Sequence, residues 1–232
     1  MSKKTDELAV KKEADAPAIP AELSGGMAME GVDQDDFLLP RMHLFQDTGS
    51  ERESIGKDFE MGDLIDKTEC RKLASNVIVP MAMYKSWAKW EEGEKPPIYS
   101  TRDKLEVPAE DLEWNDGTPP AATEMFNFVV MVEGEFSPYL LVFKRTGVKA
   151  AKTLLTMQRT RDQMKRGPGR YRVTWSKENG TKGVYAKMNI RADGDPNAEM
   201  LQQVAAAVSQ YGDLSQIKAA DEEDVPDWVE NG

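Results

Sequence analysis

Apolar residues recur with two different periods along this chain, and the changes of period mark its predicted elements. Met42 and Leu44 alternate with polar neighbours over residues 41–46, which predicts a short strand. Residues 55–66 set Phe59, Met61, Leu64 and Ile65 among Gly56 and Gly62, a turn-rich β segment. The run NVIVPMAMY (76–84) is a clearer strand. Pro80 lacks the N–H a ladder needs, so it calls for an edge position or a bulge. Residues 91–122 carry Pro96-Pro97, Asn115-Asp116-Gly117 and Pro119-Pro120, the turn signals of a long acidic connection. EMFNFVVMV (124–132) and YLLVFK (139–144) are the strongest strands, and Gly134 between them predicts a hairpin.

At Val148 the period becomes helical. Val148, Ala151, Leu154, Leu155 and Met164 share one stripe, while Lys149, Lys152, Thr156, Arg159 and Gln163 share another face. The helix is predicted over 148–165 and stopped by Gly167-Pro168-Gly169. Residues 170–177 and 182–191 flank Asn179-Gly180, a strong hairpin signal. Tyr171, Val173 and Trp175 fall on one face of the first strand, and Val184, Ala186, Met188 and Ile190 on one face of the second. These sets are the expected core, which turns Arg170, Arg172, Tyr185, Lys187 and Arg191 the other way. A short Ala-rich helix is predicted over 196–210. The result is a mainly β fold with added helices. Residues 1–36, without an aromatic residue or a sustained period, predict a disordered arm. A domain over 37–192, a C-terminal helix and linker over 193–218 and an acidic tail over 219–232 follow.

Charge divides the chain more sharply than hydropathy does. The net charge is −11, yet residues 137–191 hold 14 lysines and arginines against 2 acids. Residues 37–136 hold 11 against 20, and residues 192–232 hold 1 against 10. One strongly basic block in an acidic protein points to an anionic ligand, nucleic acid above all. The alternative is that the block folds against the acidic parts and neutralises them. No run of about 18 apolar residues exists to cross a membrane. The first residues lack the apolar segment of a secretory leader, so a cytosolic setting is expected.

Signals of catalysis are poor. Cys70 and His43 are the chain's only cysteine and histidine, which excludes a disulfide framework and a Cys/His zinc site built by this chain alone. Gly167-Pro168-Gly169 lacks the Lys-Ser/Thr of a phosphate loop. The acid clusters lie in segments read as loops or tails, whereas metal-dependent cleavage needs carboxylates on rigid elements. The expectation is a protein without catalysis, metal or cofactor.

Binding signals are stronger. A single-strand binder needs a positive groove for phosphates and flat side chains on which bases stack. Lys85, Lys89, Lys144, Arg145, Lys149, Lys152, Arg159, Arg170, Arg172, Lys187 and Arg191 are the phosphate candidates. Tyr84, Trp87, Trp90 and Tyr185 are the stacking candidates, with core packing as the alternative for each ring. Trp175 and Tyr171, on the apolar face of their strand, are assigned to the core. In the tail, Asp221, Glu222, Glu223 and Asp224 precede Val225-Pro226-Asp227-Trp228. Charge around an aromatic plug suits docking into a basic partner pocket, or over this chain's own basic groove in place of a phosphate chain.

A basic, aromatic-containing hairpin region in a β-rich domain, followed by an acidic tail with an embedded aromatic, resembles the single-stranded DNA-binding proteins of bacteriophages. The likeness runs through LPRMHLFQ (39–46), NVIVPMAMYKSW (76–87), FKRTGVKAAKTLL (143–155), YRVTWSKENGTKGVYAKMNI (171–190) and DEEDVPDWV (221–229). The resemblance implies an OB-fold Greek-key barrel, with the helix inserted before the last hairpin. It implies sequence-tolerant binding of single-stranded DNA in phage replication, recombination and repair, in the cytoplasm of the infected host. It further implies a tail, Asp221 to Trp228, that recruits a polymerase, helicase or primase, and it leaves a homodimer open. A metal-dependent nuclease or recombination enzyme, and a phage structural or scaffold protein, are the competing readings.

Overall fold

A computed structural model describes residues 38–56, 58–90, 97–115, 117–180 and 183–215. These belong to one compact unit. The readings for residues 1–36 and for the acidic tail lie outside the described residues. The protein is mainly β with several helices. Its strands are β1 (Arg41–Leu44), β2 (Leu64–Asp66), β3 (Arg71–Lys72), β4 (Val77–Lys89), β5 (Tyr99–Thr101), β6 (Thr123–Val132), β7 (Pro138–Lys144), β8 (Tyr171–Gly180) and β9 (Gly183–Ala192). Its helices are α1 (Gly49–Ser54), α2 (Ala109–Leu112), α3 (Val148–Gln163) and α4 (Ala198–Tyr211).

The strands form one mixed sheet in the order β3-β2-β1-β7-β6-β4-β8-β9, with β5 on β4. Every pairing is antiparallel except β1 with β7. The long β4 reaches β6 along most of its length and β8 at its start, and its register slips between Pro80 and Ala82, the bulge the proline demands. β6 and β7 form the predicted hairpin, β8 and β9 the next, and α3 lies between the two hairpins in sequence.

Alternation along β6 and β7 feeds two cores. Phe126, Phe128 and Val130 join Leu141, Phe143, Tyr171, Val173 and Ile190 on the inner face. There α3 contributes Ala150, Ala151 and Leu154. Val129 and Leu140 face the other way, against Leu39 and Leu214, and α4 lies against β4 and β6. Burial on both faces explains why these two strands read as nearly continuous apolar runs.

The sheet is open, not a barrel closed by a hydrogen-bonded ladder. A side chain spans the gap instead. Gln46, just past β1, donates from Nε2 to the carbonyl oxygens of Leu44 (3.0 Å) and Ala186 (3.1 Å), and its Oε1 accepts from the Ala186 N–H at 2.9 Å. The carboxamide thus takes the place of a neighbouring strand for one residue of β9. Replacing Gln46 by Ala leaves a buried peptide group of β9 unpartnered. The expected cost is about 2 kcal/mol, read as a lower urea midpoint at unchanged slope; an unchanged midpoint would show that the bridge contributes nothing.

Candidate nucleic-acid interface

The basic block folds into α3 and the β8–β9 hairpin, and the two parts treat their charges differently. In the hairpin and on β4 most candidate cations are bound to acids. Arg170 reaches Glu133 at 2.9 Å and Asp193 at 3.2 Å. Arg172 reaches Asp193 at 3.1 Å and Asn76 at 3.0 Å. Lys187 lies 3.4 Å from Glu178 across the hairpin. Lys85 bonds Glu124 at 2.6 Å and sits over the Phe126 ring. Lys89 donates to Asp111 at 2.8 Å, and Tyr99 donates to the same carboxylate at 2.9 Å. The lysine's hydrogen bond holds the Asp111 carboxyl below the usual range, and burial first, then the bond to Asp111, pushes the Tyr99 hydroxyl up to about 12. For these cations the neutralising alternative holds: folding supplies their counter-charges.

On α3 it does not. The helix forms because Lys, Ala, Leu, Gln and Arg favour it, and it ends in a Schellman motif. Lys165 takes a positive φ of 55°, its N–H bonds the Asp162 carbonyl, and the Arg166 N–H bonds the Arg161 carbonyl. Of the apolar stripe, Ala151 and Leu154 are buried and Val148 and Leu155 pack against the core, whereas Met164 caps the helix end and is exposed. The opposite face carries Lys149, Lys152 and Arg159, all exposed and without an ion pair among the described residues. Lys149 to Arg159 covers about 15 Å of axis. Arg145 stands before the helix, Lys165 and Arg166 after it, likewise exposed and without an ion pair among the described residues. Asp162, the one acid of residues 143–166, is taken up by Gln158 at 2.7 Å. The first turn of α3 carries no acid, so Lys149 stands unneutralised at the positive end of the helix dipole. Thr153 and Thr156 lie between the cations, their hydroxyls bonded back to the carbonyls of Lys149 and Lys152. Val148, Lys149, Lys152, Thr153, Thr156 and Met157 line a shallow depression along this face.

The rings separate too. Trp87 is 8% exposed and packs with Val107 and Ala122, so it cannot offer a face to a base. Tyr84 lies under the Arg102 guanidinium, 3.8 Å from its ring centroid. Trp90 is half-buried with the Lys144 ammonium 5.3 Å from its ring. Tyr185 is half-buried near the hairpin tip, and Arg191 is exposed at the far end of β9. Trp175, assigned to the core by its alternation with Tyr171 and Val173, is 41% exposed. The strand carries it past the rim of the apolar core, which alternation alone does not reveal.

Among the described residues no group of three or more His, Cys, Asp or Glu side chains is placed to hold a metal ion, and no helix is long and apolar enough to cross a membrane. A family model described as "Pam3 phage gp34-like protein" matches residues 10–219. No curated protein and no solved structure matches the chain.

Proposed function

Because this chain belongs to the Pam3 phage gp34-like protein family, we propose that it serves a phage by binding single-stranded DNA, gripping the sugar–phosphate chain along α3. The observation that carries this reading is the row of exposed, unpaired cations on that helix. By contrast Lys85, Lys89, Arg170, Arg172 and Lys187 are bound to the protein's own acids. Lys149 and Lys152, three residues apart and facing water, repel one another at a small cost to the helix, and Arg159 continues the row two turns further on. A polyanion lowers that cost by supplying the missing counter-charge and releasing its own condensed ions.

The connectivity supports the same reading. Taken as β4, β6, β7, α3, β8 and β9, the chain lays its strands side by side in the order β7-β6-β4-β8-β9, with a helix between the two hairpins. This order favours a five-stranded, partly open Greek-key barrel of the OB type, a scaffold used for oligonucleotides. In this reading β1 fills the space beside β7. Roles in replication, recombination and repair, recruitment of a polymerase, helicase or primase by the acidic tail, and residence in the host cytoplasm belong to the same proposal.

The test is a salt titration of binding to oligo-dT and to a duplex of equal length. The expected result is tighter binding of the single strand. Its log affinity should fall linearly with log salt, by about 0.7 for each phosphate contact. Equal affinity for both forms, or no salt dependence, refutes the reading.

A further inference from the structure

Between β2–β3 on one side and β8 on the other lies a groove of about 570 Å³, within the range of small-ligand sites. Its floor is apolar, from Leu44, Leu73 and Val173. Trp175 stands at one end, and its indole lies directly on Gly62. A Cβ at that glycine would fall 1.9 Å from the indole Cε2, and Gly62 also needs a φ of 91° that side chains disfavour. The ring is therefore fixed from one side while remaining 41% exposed. At the other end stands Asn76. Its Oδ1 accepts from Arg172, which leaves its amide N–H groups free for a ligand.

The groove is electrically quiet. Asp63, the one acid among its lining residues, is held by Lys72 at 2.5 Å and accepts the Glu60 N–H at 3.0 Å. Lys177, two residues beyond Trp175 on β8, is exposed and makes no ion pair among the described residues. A fixed aromatic ring, an apolar floor, a hydrogen-bonding end and a nearby free cation fit a planar heterocycle attached to a phosphate. We propose that this groove takes one unpaired base of a bound single strand, stacked on Trp175.

The proposal rests on the single-strand reading of α3 and extends it to a second contact. Tyr171 donates from its hydroxyl to Gln158 of α3 at 3.1 Å. Trp175 follows four residues later on the same side of β8, about 13 Å along the strand. A strand of a few nucleotides can reach both.

The experiment compares oligo-dT with an abasic deoxyribose-phosphate strand of equal length, using the full chain and fluorescence anisotropy. The two probes carry the same charge and differ only in bases. Stacking of one base predicts that wild type prefers oligo-dT by roughly 5- to 150-fold. Trp175→Ala should abolish that preference without changing affinity for the abasic strand, and Trp175→Phe should keep most of it. Trp175→Leu preserves apolar packing and should behave like the alanine variant, so a folding defect is separable from lost stacking. A preference that survives in Trp175→Ala and Trp175→Leu, or no preference in wild type, overturns the proposal while binding of the abasic strand sustains the α3 reading. Binding of neither strand at low salt overturns both.

Discussion

Replacing Lys149, Lys152 and Arg159 together by glutamine should weaken oligo-dT binding by about 500-fold at 50 mM salt and about 30-fold at 200 mM, with the two proteins converging near 1 M. The size follows from counterion release. Each phosphate contact on a single strand contributes about 0.7 to the slope of log affinity against log salt, so three lost contacts flatten it by about 2. Glutamine suits the test because its helix propensity matches that of lysine and arginine. The three side chains are exposed and pair with no acid among the described residues, so their removal breaks no ion pair there. Thermal stability should hold or rise slightly as like-charge repulsion on the helix disappears. The matched control is Lys85→Gln with Lys187→Gln. Both cations are already bound, to Glu124 and to Glu178, so they should change DNA affinity little and stability more. If the control lowers affinity as much as the α3 variant does, the assignment of the contact to α3 is wrong.

That contrast between free and bound cations is the part of the interface that sequence does not carry. Local patterns do reveal the hairpins. The β6–β7 pair, the β8–β9 pair around Asn179-Gly180 and α3 with its Gly-Pro-Gly stop are each set by residues close together in the chain. The predicted helix over 196–210 is α4 for the same reason. Partners are another matter. Lys85 meets Glu124 and Arg170 meets Glu133 only because β4, β6 and β8 are neighbours in the sheet. Gln46 meets Ala186 from 140 residues away. The six-residue α1 was not predicted because it buries nothing and so has no apolar period. Its one signal is Thr48, whose side chain accepts the Glu51 N–H at the helix start. Trp87 and Trp175 exchange their expected fates because a residue's distance from the rim of a core is a tertiary quantity. Alternation fixes the face of a strand and says nothing of where that face stops being covered.

The largest expected loss of stability comes from Arg71→Met. Arg71 bonds Glu135 through both ends of its fork, at 2.9 and 2.7 Å. The same guanidinium reaches Tyr139 at 2.7 Å and Glu69 at 2.5 Å. Glu135 is buried and also accepts the Ala74 N–H at 2.9 Å. Asp66, buried close by, accepts the N–H groups of Thr68 and Glu69 and the Tyr139 hydroxyl. Methionine keeps the stem's packing but leaves Glu135 without its cation and beside Asp66. The expected cost is about 3 kcal/mol, or a midpoint lowered by roughly 6–12 °C for a domain of this size. Changing Glu135 to Met as well removes the stranded charge and should recover much of the loss. The pH dependence has a definite sign. The hydrogen bond from Arg71, reinforced by the Ala74 N–H, holds the Glu135 carboxyl below its ordinary range. A folded value below the unfolded one, about 4.3, means stability that is complete above that pH and lost as pH falls through the folded value. Without Arg71 the buried carboxyl prefers its proton. Acidification from pH 7 to pH 4 should therefore narrow the gap between wild type and Arg71→Met. A gap that stays constant across that range would mean that the arginine acts through packing and not through its charge.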